Sequence, residues 1–277
     1  MSLVSCKDYA ELVKCILKEE IKTFERVPVL AIIQVGNNPA STAYTKGKVK
    51  DCNEVGIKAE YVNMPQNTTQ KELESMVINY ANDKCCDGII VQLPLPEGLD
   101  ADRITDLIPA NKDVDGFRRD SLFEPCTPSG IVGWLKYNNK LYPGIVITVL
   151  GRSNIVGKPL VNMLIKEGAT VICCNSKTDD LRRFILGSDI VVSAIGKPKF
   201  INEKYFNTEG VAYNPYLIVD VGINRDENNK LCGDIDREQL AEVIPNTYVT
   251  PVPGGVGLLT RVSLLQNVVA AYKLSNK

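Results

Sequence analysis

Imidazole is not available for chemistry in this chain, because none of its 277 residues is a histidine. Histidine-based triads, histidine metal sites and an imidazole base are ruled out, so carboxylates, lysine, tyrosine, cysteine or a borrowed cofactor must carry any reaction. Tyr44 and Lys48 are four positions apart and share one face of a predicted helix. A lysine beside a tyrosine at this spacing is also typical of an ordinary amphipathic surface.

A lone amide and two carboxylates follow later in the chain. Gln92 lies inside the apolar run GIIVQL, at the C-terminal end of a predicted strand, where open α/β sheets bind ligands. The alternative interpretation is that Gln92 is a buried amide that satisfies a nearby backbone group. The loop KDVDGF places Asp113 and Asp115 beside a glycine. This loop is either a plain turn or a way to present a carboxylate to a heterocycle rich in donors.

Residues 151–159, GRSNIVGKP, lie between a predicted strand and a predicted helix. A dinucleotide-binding loop stands at this place, with backbone N–H groups facing the phosphates. The loop is not GxGxxG, because its glycines are six positions apart and Ser153 stands where the second is expected. A tight strand–helix turn is the alternative. The strand and helix context favours nucleotide binding.

The next strand ends without the acidic residue that binds the ribose 2′-hydroxyl of NAD. It runs instead into NSKT, residues 175–178, which includes Ser176 and Lys177. A hydroxyl and a cation, together with Arg152, suit a 2′-phosphate, because guanidinium and phosphate pair through two hydrogen bonds. We therefore expect NADP rather than NAD. The alternative is that Arg152 and Lys177 are solvated surface charges.

Residues 250–257, TPVPGGVG, form a predicted stiff loop with few side chains. Two prolines and three glycines in eight residues permit close backbone approach to a flat ligand or to a cofactor. A hinge between domains is the alternative, and both interpretations can hold together.

The elements that must position these residues follow an α/β pattern, because β-branched runs alternate with turns and helical stretches. We expect parallel sheets, with strands at 27–35, 58–62, 88–93, 145–150, 170–174, 189–195 and 216–221. We expect helices at 41–55, 70–84, 156–167, 179–186 and 258–274, and one that starts near residue 128. A polar break at 136–140 places a domain boundary there. The last helix is expected to pack back on the first domain.

Charge and cysteine content narrow the class of protein. Lysine and arginine number 32 against 33 acidic residues, which gives no electrostatic reason to expect a nucleic-acid or acidic-membrane partner. Nine cysteines without CxxC spacing indicate neither a disulfide framework nor a zinc site. The first residues lack a signal-peptide pattern, and no apolar run reaches the ~20 residues of a membrane helix. A reducing, cytoplasmic compartment fits this composition best.

Seven motifs, taken together and in this order, resemble one enzyme family over essentially the whole chain. It is the bifunctional methylenetetrahydrofolate dehydrogenase/methenyltetrahydrofolate cyclohydrolase family, of the FolD type. The motifs are YTKGK (44–48), VQLPLP (91–96), KDVDGF (112–117), PCTPSG (125–130), GRSNIVGKP (151–159), NSKT (175–178) and TPVPGGVG (250–257). Each is weak alone, but VQLPLP, KDVDG and PVPGGVG together are highly specific.

The resemblance implies an α/β protein of two domains. Residues 1–139, with a returning C-terminal helix at about 258–277, would form the folate-binding catalytic domain, and residues 140–257 a Rossmann-type NADP-binding domain. The enzyme would oxidise 5,10-methylenetetrahydrofolate with NADP and hydrolyse the methenyl product to 10-formyltetrahydrofolate, in one-carbon metabolism and purine biosynthesis. It would act on tetrahydrofolate derivatives as a homodimer, without a metal.

The resemblance also implies roles for single residues. Tyr44 would contact the folate, Lys48 would be the central residue of hydrolysis, and Gln92 would hydrogen-bond Lys48. Asp115 would hold the pterin edge, and a partly dry cleft would lower the pKa of Lys48 and make it a base or proton shuttle. Further substrate contacts are expected from Pro253, Gly254 and Gly255. Cofactor contacts are expected from Gly151, Arg152, Ser153, Ser176, Ile195 and Gly257, with Asp113 as a secondary contact.

Two departures from the family pattern stand out. Asn175 replaces a histidine common before SKT, which bears on NADP preference and leaves NAD as an alternative. Leu258 and Leu259 replace Pro-Met after the glycine loop, which changes the stiffness of that loop. Two other functions remain as alternatives. One is a dehydrogenase without hydrolysis or with another small substrate, and the other is a nucleotide sensor that binds cofactor without turnover.

Overall fold

The computed structural model describes residues 1–206 and 213–276, which divide into two compact units. The three-stranded unit comprises Glu11–Cys126 and Arg261–Lys277, and the six-stranded unit comprises Met1–Ala10 and Thr127–Thr260. The predicted domain boundary between residues 139 and 140 does not coincide with the boundaries of these units. Most of the helix that follows residue 125 is counted with the six-stranded unit.

The described residues contain alternating strands and helices, as the α/β pattern predicts. The strands are β1 (Ser2–Leu3), β2 (Val29–Val35), β3 (Lys58–Met64), β4 (Gly88–Val91), β5 (Val146–Leu150), β6 (Thr170–Cys174), β7 (Ile190–Ser193), β8 (Leu217–Asp220), β9 (Asn224–Arg225), β10 (Leu231–Cys232) and β11 (Tyr248–Val249). The helices are α1 (Lys7–Ile21), α2 (Pro39–Val55), α3 (Gln70–Asn82), α4 (Ala101–Leu107), α5 (Cys126–Tyr137), α6 (Gly157–Lys166), α7 (Leu181–Leu186), α8 (Arg237–Val243) and α9 (Val256–Ser275).

The three-stranded unit is built on a parallel sheet in the order β3-β2-β4. Its central strand β2 is buried over its whole length, which explains why VLAIIQV reads as a continuous apolar run and not as an alternating one. Strand β4 ends at Val91, two residues earlier than expected, because Pro94 follows closely and has no N–H to continue a ladder. The carboxyl ends of β2 and β4 lead into the loops before α2 and α4.

The six-stranded unit contains a parallel sheet in the order β1-β11-β8-β7-β5-β6. Strand β6 pairs with one side of β5, and the chain then returns to place β7 on the other side. This reversal of strand order is the switch point at which open α/β sheets bind their ligands. The core behind it is made of β-branched and leucine side chains, among them Ile147, Val149 and Val192.

The parallel α/β architecture and the returning C-terminal helix are confirmed. Residues from Arg261 onward are counted with the three-stranded unit, where Arg261 pairs with Asp51 at 3.0 Å and Tyr272 stacks on Phe24 with ring centroids 4.4 Å apart. Within the described residues, none of the helices is long and apolar enough to cross a bilayer. All nine cysteines are free thiols.

Candidate functional site

Helix α2 presents Tyr44 and Lys48, and both of its ends are fixed by local sequence. The Asn38 side chain accepts hydrogen bonds from the N–H groups of Ala40 and Ser41, and Gly56 closes the other end in the left-handed conformation. Lys48 is only 4% exposed, and its ammonium lies 5.1 Å from the centroid of the Tyr44 ring. The pair is therefore not the exposed surface pair that its spacing also allowed.

Asp115 joins this pair from the loop after β4. Its Oδ1 atom lies 3.9 Å from Nζ of Lys48, and both side chains are buried. Burial raises the pKa of the Asp115 carboxyl, the Lys48 cation opposes that rise, and neighbouring Asp113 adds to it. Asp113 itself accepts the backbone N–H of Arg118 at 2.9 Å, so its side chain shapes the turn.

The turn that carries Asp115 depends on Gly116. This residue has φ of +73°, and a Cβ there would lie 2.7 Å from the backbone nitrogen of Pro125. The same turn is tied to α9 by Asn267, whose Nδ2 donates to the carbonyls of Val114 and Glu124 at 2.9 and 3.1 Å. Backbone geometry and one distant side chain thus fix the carboxylate.

Gln92 lies at the carboxyl end of β4, but it does not make the expected bond to Lys48 among the described residues. Its Nε2 donates to the carbonyl of Leu93 at 2.7 Å, and its Oε1 is buried without a partner there. An unsatisfied buried acceptor costs about 1–3 kcal/mol. The Oε1 atom is therefore ready to accept a donor from a ligand.

The loop after β5 begins at Gly151 and ends at the N-terminus of α6. A Cβ at Gly157 would lie 2.7 Å from the carbonyl carbon of Gly151, so the two backbones touch where the helix starts. Ser153 Oγ accepts the N–H groups of Val156 and Gly157 at 3.2 and 3.3 Å, while Arg152 is exposed. This close contact at the start of α6 explains why a glycine is needed at position 157, six positions after Gly151.

The NSKT turn follows β6 without an acidic residue. Asn175 Oδ1 accepts the N–H of Lys177 at 3.0 Å, and the Asn175 N–H donates to Thr178 Oγ1 at 3.0 Å. The asparagine side chain is therefore used inside the turn, where it leaves Ser176 and Lys177 exposed. This arrangement suits the binding of an anion at the tip of β6.

The loop after β7 contains Ile195, and a buried carboxylate holds it. Asp234 is 0% exposed and accepts the N–H groups of Ile195, Gly196 and Lys197 at 2.7, 3.2 and 3.0 Å. Asp234 was not among the residues predicted from the sequence, because no local motif links it to a loop 39 positions earlier.

The loop 250–257 belongs to the six-stranded unit, and Tyr44, Lys48, Gln92 and Asp115 belong to the three-stranded unit. Pro253 and Gly254 are exposed, Gly255 is buried and Gly257 is half-buried. Gly254 has φ of +96°, which favours glycine. The structure therefore brings together Tyr44, Lys48 and Asp115 and, separately, surrounds the sheet switch point with the loops of Gly151 and Ile195.

Comparison with known proteins identifies the family of this chain. Residues 4–115 match the model of the tetrahydrofolate dehydrogenase/cyclohydrolase catalytic domain, and residues 125–276 match that of its NAD(P)-binding domain. The bifunctional protein FolD of Agathobacter rectalis is 41% identical over 98% of this chain and 99% of its own length.

Solved structures give the same result. The FolD methylenetetrahydrofolate dehydrogenase/cyclohydrolase of Campylobacter jejuni has a TM-score of 0.88 at 39% identity and covers 99% of both chains. The FolD of Trypanosoma brucei, complexed with NADP cofactor and inhibitor, has a TM-score of 0.87 at 30% identity over 99% of this chain and 98% of that one. This chain belongs to the tetrahydrofolate dehydrogenase/cyclohydrolase family.

Proposed function

We propose that this chain oxidises 5,10-methylenetetrahydrofolate to the methenyl cation with NADP and hydrolyses that cation to 10-formyltetrahydrofolate. The observation that carries the proposal is the cluster of half-buried Tyr44 with buried Lys48 and Asp115, in which Lys48 Nζ lies 3.9 Å from Asp115 Oδ1. A lysine and a carboxylate that are both withdrawn from water need a polar ligand or a reaction to justify their burial.

Folate binding uses the polar atoms of the three-stranded unit. The Asp115 carboxylate accepts N–H groups along the pterin edge, and the ring of Tyr44 contacts the flat ligand. The unpartnered Oε1 of Gln92 accepts a further donor, from the folate or from the Lys48 ammonium. Pro253, Gly254 and Gly255 add substrate contacts from a loop with little side-chain bulk.

Hydrolysis depends on Lys48. Water forms a bond to the methenyl carbon, and Lys48 relays one proton from that water. The carbon–nitrogen bond to N5 of the folate then breaks, and Lys48 returns the proton to N5 while the second water proton leaves to solvent. The products are 10-formyltetrahydrofolate and one released proton, so charge and atoms balance.

Oxidation needs a hydride acceptor, and NADP supplies this chemistry when bound. The six-stranded unit fits such a cofactor, because the β5 loop meets a helix N-terminus and the tip of β6 carries no acid. Gly151, Ser153, Ile195 and Gly257 would line the bound dinucleotide. The methylene C–H bond breaks with its electron pair, and the folate nitrogens stabilise the resulting cation, so the protein mainly supplies alignment.

Preference for NADP is assigned to Arg152 and Ser176. Both are exposed beside the turn that Asn175 closes with its own side chain, so a 2′-phosphate can meet a guanidinium and a hydroxyl there. Asn175 shapes the turn and does not itself need to contact the phosphate. We propose that NADP binds here without the histidine that is common in the family pattern.

We further assign residues 1–139 with the last helix to the folate-binding domain and residues 140–257 to the cofactor domain. The enzyme is proposed to be a cytoplasmic homodimer without a metal, acting on tetrahydrofolate derivatives and neither on nucleic acid nor at a membrane. Nine free thiols suit a reducing compartment. Sedimentation of the purified protein tests the dimer, and a monomer at micromolar concentration would contradict it.

The function is tested by supplying 5,10-methylenetetrahydrofolate with NADP or NAD at matched concentrations. We expect NADP reduction, transient methenyl absorbance and a 10-formyl product. No reduction of either cofactor would refute the proposal. Cofactor reduction without formyl product would favour a dehydrogenase that lacks hydrolysis, and binding without turnover would favour a nucleotide sensor.

Arg152→Ala tests the cofactor assignment. Loss of one charged hydrogen-bonding group should raise KM for NADP about tenfold and leave KM for NAD unchanged. The matched control is Lys166→Ala, which removes an exposed cation at the far end of α6. Equal changes with both cofactors would contradict the role of Arg152.

A further inference from the structure

We propose that Asp234 is a positioning residue for the cofactor, because its buried carboxylate sets the backbone conformation of residues 195–197 beside the sheet switch point. The inference rests on the proposed dehydrogenase function. Asp234 lies outside every motif that carries the family resemblance, and its side chain is fully buried.

Five donors converge on this one carboxylate. Oδ2 accepts from Ser193 Oγ at 3.0 Å and from the N–H groups of Ile195 and Gly196. Oδ1 accepts from the N–H of Lys197 at 3.0 Å and from Asn224 Nδ2 at 2.9 Å. Hydrogen bonds to a charged acceptor are stronger than neutral ones, so the carboxylate can compete with the strand ladder for these amides.

The expected strand 189–195 ends early because of this competition. The Ala194 N–H still donates to the carbonyl of Leu150 at 2.8 Å, as a ladder residue does. The next amide, that of Ile195, donates to Asp234 instead. Gly196, with φ of +74°, lets three successive N–H groups face one anion, which is the geometry of an anion-binding nest.

An internal anion in that nest has a consequence for ligand binding. The N–H groups of residues 195–197 are all used by Asp234, so they are closed to the cofactor phosphates. The loop therefore meets the cofactor with a fixed shape, which the charge inside the protein determines. The loop sits at the carboxyl end of β7 and next to β5, where the strand order reverses, so its shape bears directly on the crevice that receives a dinucleotide.

Asp234→Asn tests this role with little change in volume. An amide cannot accept at both positions, and the Lys197 N–H cannot turn away as the Asn224 side chain can. We expect KM for NADP and the dissociation constant of NADPH to rise about tenfold, the usual effect of losing one charged hydrogen bond. Hydrolysis of methenyltetrahydrofolate without cofactor should stay unchanged, because Lys48 and Asp115, on which it depends, lie in the three-stranded unit.

The matched control is Asp87→Asn. Asp87 is also 0% exposed, but it holds Arg26 and the N–H of Val29 in the three-stranded unit. We expect it to lower thermal stability without a change in KM for NADP. A gentler variant, Asn224→Ala, removes one donor and should raise KM for NADP about threefold, which keeps the test open if Asp234→Asn folds poorly.

The inference is overturned if Asp234→Asn loses only stability, as Asp87→Asn does, or if dehydrogenase and hydrolase rates fall together. Amide hydrogen exchange at residues 195–197 gives an independent readout, and it should accelerate in Asp234→Asn but not in Asp87→Asn. Failure of the unaltered protein to reduce either cofactor would refute the proposed function instead, while the exchange measurement would still decide whether Asp234 fixes the loop.

Discussion

Lys48→Met separates the two reactions that we assign to this chain. Methionine keeps most of the buried stem of Lys48 and removes only its charged amine, so the packing of α2 should survive. Hydrolysis loses its proton acceptor, whereas hydride transfer does not use this amine. We expect the hydrolase kcat to fall about 10²–10⁴-fold, the usual contribution of a general base. The dehydrogenase kcat should stay within about tenfold.

The same change acts on Asp115. Opposite charges about 4 Å apart attract by about 4 kcal/mol at an effective dielectric constant of about 20, and the two atoms here are 3.9 Å apart. Without the Lys48 cation, burial raises the pKa of Asp115 further. The carboxyl is then protonated over a wider range at low pH, where it accepts fewer N–H groups. KM for the folate should therefore rise as pH falls, and it should begin to rise at a higher pH than in the unaltered protein.

The assay follows NADPH formation and methenyl disappearance separately, each from pH 5 to 8. Lys46→Met is the control, because Lys46 is exposed on the same helix and its loss should change neither rate. An equal loss of both reactions, or hydrolysis that survives Lys48→Met, would refute the assigned role. A folate KM with the same pH profile in both proteins would refute the coupling of Lys48 to Asp115.

Two further predictions concern buried groups. Burial raises the pKa of Asp220 to about 7, while backbone N–H groups oppose that rise and the Asp234 charge adds to it. Below pH 7 the folded protein therefore holds a proton on Asp220 that the unfolded chain releases. The free energy of unfolding should fall by about 1.4 kcal/mol per pH unit as the pH rises toward 7. Urea unfolding of Asp220→Asn at pH 5, 6 and 7 should lack this decline, and equal slopes would contradict it. Gly116→Ala forces a side chain toward Pro125 at positive φ, so it should lower the free energy of unfolding by about 1–3 kcal/mol and raise KM for folate. The control Gly98→Ala has open space around the new methyl group and should leave KM for folate unchanged.

Much of the fold was predictable because four strands, β2, β4, β7 and β8, are buried runs between clear turn residues. Strands β3 and β6 begin at the predicted residues, and α2 ends at the predicted Gly56. Strands β1 and β11 were missed, because two residues are too few to show a periodic pattern. Helix α1 was missed although its buried Ala10, Val13, Leu17 and Ile21 recur at helical spacing.

The candidate site was predictable only where one motif carried both the residue and its neighbours. Lys48 and Tyr44 are joined by helix geometry, so their spacing alone fixed their proximity. The bonds from Asn267 to the Asp115 turn and from Asp234 to the Ile195 loop join distant parts of the chain. No local pattern encodes such contacts, and only the folded backbone reveals them.

The discontinuous make-up of the three-stranded unit affects the order in which the protein is built during synthesis. Asn267 bonds to the carbonyl of Val114, which precedes it by 153 positions, and Tyr272 accepts the N–H of Arg26 across 246 positions. The ribosome synthesises these two residues long after most of the unit. The turn of Asp115 therefore lacks its hydrogen bond from Asn267 through most of translation. The nascent chain can thus complete its cofactor sheet before its folate site, and the competence to bind folate marks a chain whose last helix has docked.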